Sequence, residues 1–98
     1  MITRSPWLPF DETIIHRIPE TTGVFELGDM EKNVIFLGCA DHVDLRQRLL
    51  EVFTLGGRSM PPTPRWFRYE ETYKPHTVFR SIVRDLRSLG TSPIHIDF

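Results

Sequence analysis

The side chains of this sequence best suited to act on a ligand are arginines set among aromatic rings. Arg46 and Arg48 stand two apart near the start of an apolar helical stripe. Guanidinium groups so placed can grip a phosphate through paired N–H donors; the plainer account is a surface pair answering Asp44 and Glu51. Arg58, Arg65 and Arg68 are interleaved with Trp66, Phe67 and Tyr69. Single-stranded bases stack on such rings while guanidinium groups meet their backbone. Tryptophan, tyrosine and arginine are equally the residues enriched at protein–protein hot spots. His16, His42, His76 and His95 are far apart and lack ligand spacing, and Ser59 and Thr63 have no His–Asp companions. Cys39 is the only cysteine. Beside Gly38 it reads as a small buried hydrophobe before it reads as a metal or redox site. No metal or cofactor is expected.

These side chains need elements to hold them. Residues 1–10, with Pro6 and Pro9 around Trp7 and Phe10, predict an extended arm anchored by its aromatics. Asp11 is a candidate cap for a short helix reaching Ile18, which Pro19 ends. Gly23–Gly28 alternates as a half-buried strand, 29–33 is a polar turn, and Val34–Leu37 is a β-rich run ending at Gly38. Together they predict an antiparallel hairpin. From Asp44 a helix carries Leu45, Leu49, Val52 and Phe53 on one face, with Arg46 and Arg48 off it, until Gly56-Gly57 stops it. Three prolines between Arg58 and Pro64 exclude helix there. Arg65–Tyr73 is a third strand, Trp66 and Arg68 facing one way and Arg65, Phe67 and Tyr69 the other. A last helix spans about Thr77 to Leu89, capped by Gly90 with Pro93 beyond. The order predicts one small α+β domain over residues 1–98, a mostly antiparallel three-stranded sheet flanked by helices.

Charge narrows the partners. The net charge is −1, with ten of twelve cations being arginine. Residues 1–43 hold three cations and seven acids, whereas 44–98 hold nine cations and six acids. An acidic front half repels phosphate, so a protein partner is expected ahead of nucleic acid. One cysteine excludes an intrachain disulfide and a CxxC metal framework. The longest apolar run, Val34–Leu37, is far short of the roughly 18 residues of a membrane helix. The first residues lack the apolar stretch of a signal peptide. A cytoplasmic protein without a membrane span is expected.

One longer pattern reaches into function. Gly23-Val-Phe25, then ten residues, then Phe36-Leu-Gly38, is followed by Ala40 and Asp44-Leu-Arg-Gln-Arg-Leu49. This layout resembles the GIY-YIG nuclease family, whose hairpin carries a "GIY" and a "YIG" strand before a helix bearing an arginine. The approach through Trp7-Leu-Pro-Phe-Asp11, Ile-Pro-Glu at 18–20, Phe67–Thr72 and Gly90–Pro93 is similar to the short members, with about two extra residues at 41–43. The resemblance implies the family's sheet-and-helix fold. It also implies the site: two tyrosines at the attacking water, the helix arginine on phosphate charge, a proton-shuttling residue one turn later, and a metal-holding glutamate on a later helix.

Carried over residue by residue, most of that chemistry is missing. Phe25 and Phe36 occupy the tyrosine positions, keeping the ring and losing the hydroxyl. Cys39 stands where a basic residue often follows the second motif, Val52 stands one turn after the arginine, and Ile96 takes an expected asparagine. Arg48 is retained. No glutamate follows Glu71, so a metal carboxylate would have to be a relocated Glu51, Glu70 or Asp85. The expected function is therefore a degenerate GIY-YIG-like domain, a non-enzymatic protein-binding or assembly subunit presenting Arg46, Arg48, Arg65, Trp66 and Arg68. A nucleic-acid-binding accessory protein is the second reading, and a divalent-metal-dependent endonuclease the third.

Overall fold

The computed structural model describes residues 4–55, 63–90 and 95–97. Gly56, Gly57, Arg58, Ser59 and Pro93 lie outside the described residues. The hairpin forms as its alternation predicts. Strand β2 (Gly23–Gly28) pairs antiparallel with β3 (Val34–Ala40). Asp29 closes the turn between them: its Oδ1 accepts from the backbone N–H groups of Glu31 and Asn33, both at 2.9 Å. Those donors hold the Asp29 carboxyl below its usual value. Strand β3 runs two residues past the expected end at Gly38, because Gly38, Cys39 and Ala40 still have partners in Phe25, Val24 and Gly23.

The class is α+β, as expected, but the sheet has five strands in the order β1-β4-β2-β3-β5. Strand β4 (Trp66–Glu71) lies antiparallel on the other side of β2. The two added strands are the edges. The predicted arm supplies β1 (Leu8–Pro9), antiparallel to β4, and β5 (His95–Asp97) runs parallel to β3. A proline is tolerated in β1 because an edge strand can spare one ladder donor. Around it, Ser5 N–H donates to Tyr69 O at 2.8 Å and Phe10 N–H to Arg65 O at 3.0 Å.

Helices cover both faces. The first, α1 (Glu12–Ile15), is shorter than expected: Arg17 and Ile18 donate to Ile14 and Ile15, tightening the chain into i→i−3 turns ahead of Pro19. Helix α2 (Leu45–Thr54) starts where Asp44 predicts, its carboxylate accepting from Gln47 N–H at 2.7 Å. Helix α3 (Pro75–Ser88) starts two residues early, since proline at the first helical position gives up a donor that would be idle there. Gly90, at φ +71°, follows it in the left-handed conformation.

The sheet separates two cores. Phe25, Leu27, Phe36 and Phe67 pack under α1 and α2 against Ile15, Leu45, Leu49 and Phe53. Val24, Leu37 and Cys39 point the other way, to Val78, Phe79 and Ile82 of α3. At the centre of the first core, Phe25 and Phe36 stack with centroids 5.8 Å apart at 14°. The tip of the Phe25 ring occupies the space that a Cβ on Gly38 would need. Phe25 is completely buried and cannot swing aside. Gly38→Ala is therefore expected to cost about 1–3 kcal/mol by overpacking; a urea denaturation midpoint unchanged from wild type would refute this account of the packing.

Candidate functional site

The five binding residues expected from the sequence fall on two sides of the sheet. Arg46 is used within the fold. Its guanidinium donates twice to Ile18 O, at 2.8 and 3.0 Å, and once to Glu20 at 3.0 Å, tying α2 to the segment after α1. Arg48 pairs with Glu51 at 3.1 Å on the same helix. Arg65, Trp66 and Arg68 belong to the β4 region. Arg65 is exposed, while Trp66 and Arg68 are half-buried on the face opposite Phe67, as the alternation predicts.

That second face holds a charged cluster. Arg68 Nε donates to Glu26 at 2.8 Å, straight across the β2–β4 pair, and its guanidinium lies 4.3 Å from the centroid of Trp7. Lys32 sits 4.8 Å from the Trp66 centroid. Arg4 reaches Glu26 at 3.2 Å and Glu70 at 3.8 Å. Of the interleaved residues, Arg68 is thus stacked on Trp7 of the arm and Trp66 lies against Lys32, while Arg65 stays exposed. Glu26 and Glu70 are both buried, and each keeps one oxygen, Oε2, without a hydrogen-bond partner.

Arg48 opens onto a different place. Arg48 lines a cleft of about 340 Å³ at the end of β3, with Cys39, Asp41, His42, Val43, Glu51 and His76. Strand β3 delivers Cys39, the loop after it Asp41, and the first turn of α3 His76. His76 Nε2 lies 2.8 Å from Asp41 Oδ2, and His76 Nδ1 lies 3.8 Å from Cys39 Sγ. Burial, reinforced by the charge of Asp41, pushes the Cys39 thiol up from its ordinary value. Sequence reasoning missed this trio, because His76 stands 37 residues from Cys39 and 35 from Asp41. The only advance signal was a strand ending and a helix beginning with polar residues that both must leave the core.

Four positions that the resemblance marks as altered divide between the two cores. Phe25, Phe36 and Val52 are buried in the first, and Cys39 points to the opposite face. Of the carboxylates that might have been relocated, Glu51 alone reaches the cleft. Glu70 lies in the charged cluster and Asp85 is exposed on α3. Among the described residues, no group of three or more His, Cys, Asp or Glu is arranged to hold a metal ion. Among them, too, no helix is long and apolar enough to cross a membrane.

The charged cluster generates a pH dependence. Burial raises the Glu70 carboxyl above its ordinary value; Arg4 opposes that shift and the charge of Glu26 adds to it. An acid raised by folding contributes stability that is fully present below its unfolded value, 4.5, and is lost as pH rises through the folded one. Glu70→Gln is expected to gain on wild type in urea melts from about pH 4 to about pH 7. A stability difference that stays flat, or shrinks, over that range would show that Arg4 outweighs burial.

No curated protein and no solved structure matches the chain significantly. One family model does, over residues 1–85, which takes in the arm, the hairpin, both cores and every residue of the cleft. The chain belongs to the family described as Domain of unknown function (DUF7508).

Proposed function

We propose that this protein is a GIY-YIG-like scaffold that has given up phosphodiester hydrolysis and works as a protein-binding subunit. The observation that carries the reading is the stacked pair Phe25 and Phe36. Both rings lie in the core, so the positions that resemble the family's water-orienting tyrosines offer neither a hydroxyl nor an open surface. Val52, buried in the same core, cannot shuttle a proton. Loss of one general acid or base costs about 10²–10⁴ in rate, and here several positions are lost together.

Support for a protein partner comes from the surface. Tyr73 is fully exposed just beyond β4, beside a depression of about 370 Å³ lined by Thr21, Thr22, Glu71 and Thr72. An exposed aromatic beside a polar depression is of the residue type enriched at the hot spots of protein interfaces. Three of the arginines expected to meet a nucleic acid, Arg46, Arg68 and Arg48, are instead engaged with Glu20, Glu26 and Glu51, while Arg65 is exposed. One observation favours a nuclease: Glu51 stands beside Arg48 in the cleft. Its carboxylate is paired with that arginine at 3.1 Å, and that of Asp41 with His76.

Three measurements separate these readings. Supercoiled DNA is expected to stay intact with magnesium or manganese; nicking that Arg48→Ala abolishes would overturn the proposal. Oligonucleotide binding, if detected, is expected to lack the steep salt slope of phosphate contacts. Affinity purification from the native source is expected to recover a stoichiometric protein whose yield falls in Tyr73→Ala. A steep slope with no such protein would establish the nucleic-acid reading instead.

A further inference from the structure

The cleft contains a constellation that neither the family match nor the nuclease resemblance accounts for. Cys39, His76 and Asp41 stand in the order nucleophile, base, orienting carboxylate, with contacts of 3.8 and 2.8 Å. The carboxylate of Asp41 accepts, so in the neutral imidazole the proton sits on Nε2. That tautomer leaves Nδ1 bare and turned toward the thiol, ready to receive its proton. The 3.8 Å separation is long for a resting hydrogen bond, yet catalytic pairs without substrate are often loose and tighten when it binds. Cys39 lines the cleft, and the titratable and charged groups that line it with Cys39 are Asp41, His42, Arg48, Glu51 and His76.

We infer that Cys39 is a thiol nucleophile for acyl transfer, with His76 as its general base and Asp41 as the residue that positions His76. The substrate class is an activated ester or thioester small enough for a cleft of about 340 Å³. Two observations select carbonyl chemistry. Cys39 has no second cysteine in the sequence to resolve a disulfide, so thiol–disulfide cycling within the chain is closed to it. A histidine in contact with the nucleophile can both take its proton and return it to a leaving group, which acyl transfer requires.

The step balances without any further reactant than water. As Sγ bonds to the carbonyl carbon, its proton passes to His76 Nδ1. Collapse of the tetrahedral adduct breaks the bond to the leaving oxygen or sulfur, which takes that proton from His76. Water then attacks the new thioester by the same route, releasing the acid and restoring the thiol. Burial keeps the resting thiol protonated, so reactivity depends on the base. This inference does not rest on the nuclease-scaffold reading, since it uses none of the degenerate positions except Cys39 itself.

The probe is p-nitrophenyl acetate, followed by release of p-nitrophenolate and by the acetyl mass on the peptide containing Cys39. Acetylation of Cys39 is expected, absent in Cys39→Ala. His76→Ala should lower the rate about 10²-fold, within the range for loss of a general base. The rise of the pH–rate profile should lie at higher pH in His76→Ala than in wild type, because the thiol, pushed up by burial, must then ionise without a base. Asp41→Asn should slow the reaction about tenfold, in the direction expected when the tautomer is no longer fixed. Both side chains are at least one-third exposed, so unchanged thermal melting is expected of these variants. Equal rates and superimposable pH profiles for wild type and His76→Ala would overturn the inference. So would undiminished p-nitrophenolate release from Cys39→Ala.

Discussion

Phe25 has no exposed surface, and its position is defined on two sides, by the parallel ring of Phe36 and by the bare α-carbon of Gly38. Interiors at crystal-like density do not accommodate a displaced ring. Gly38 sits opposite Phe25 in the ladder, so the ring can lie across the partner strand only where that strand carries no side chain. With the ring seated, β3 continues as a strand past Gly38 and its alternation is carried to Cys39 and Ala40. Cys39 is thereby sent to the α3 face and Ala40 to the α1–α2 face. The cleft at the strand's end inherits its geometry from this one packing contact.

The two faces of the sheet solve different problems. Beneath α1 and α2 the fully buried side chains are apolar, and the aromatic set is knit further by Phe10, edge-on to Phe53 at 5.2 Å. On the other face α3 covers only the β2–β3 side with apolar side chains, and the β4 side is filled by Glu26, Arg68, Glu70 and Arg4. A buried ion cluster of this kind is weak evidence for stability, because desolvation offsets most of the attraction. Its geometry does discriminate between registers. Glu26 faces Arg68 directly across the β2–β4 pair, and a slip by one residue would set it opposite Phe67 or Tyr69, bringing a charge to the face of an aromatic of the phenylalanine core.

Much of this was legible in the chain. The period-two hairpin, the Asp44 cap, the stripe Leu45–Leu49–Val52–Phe53 and the Gly90 stop each come from local chemistry, and each stands where that chemistry puts it. What was not legible depended on distant partners. Leu8–Pro9 reads as an arm until β4 supplies its ladder, and three residues at 95–97 are too few to show a period. The first helix was overestimated because Ile18 keeps the apolar spacing while the following proline has already tightened the turn. The site was harder still. Arginines near aromatics suggested a binding surface, but Arg46 and Arg68 answer backbone and carboxylates far away in sequence. The Cys39–His76–Asp41 arrangement has no local signature at all.

The pairing of β1 with β4 also has a consequence in time. Ser5 and Tyr69 are 64 residues apart and meet through two hydrogen bonds, one of them to the serine hydroxyl. Such a contact has to close a loop of 64 residues, and non-local closures of this kind slow folding. The hairpin of β2 and β3 can assemble from neighbours alone. The arm, made before β4, is therefore among the last segments of the domain to find its place, and until β4 exists Trp7 and Phe10 have no sheet edge to anchor them. The order of synthesis and the order of assembly run in opposite directions along this chain.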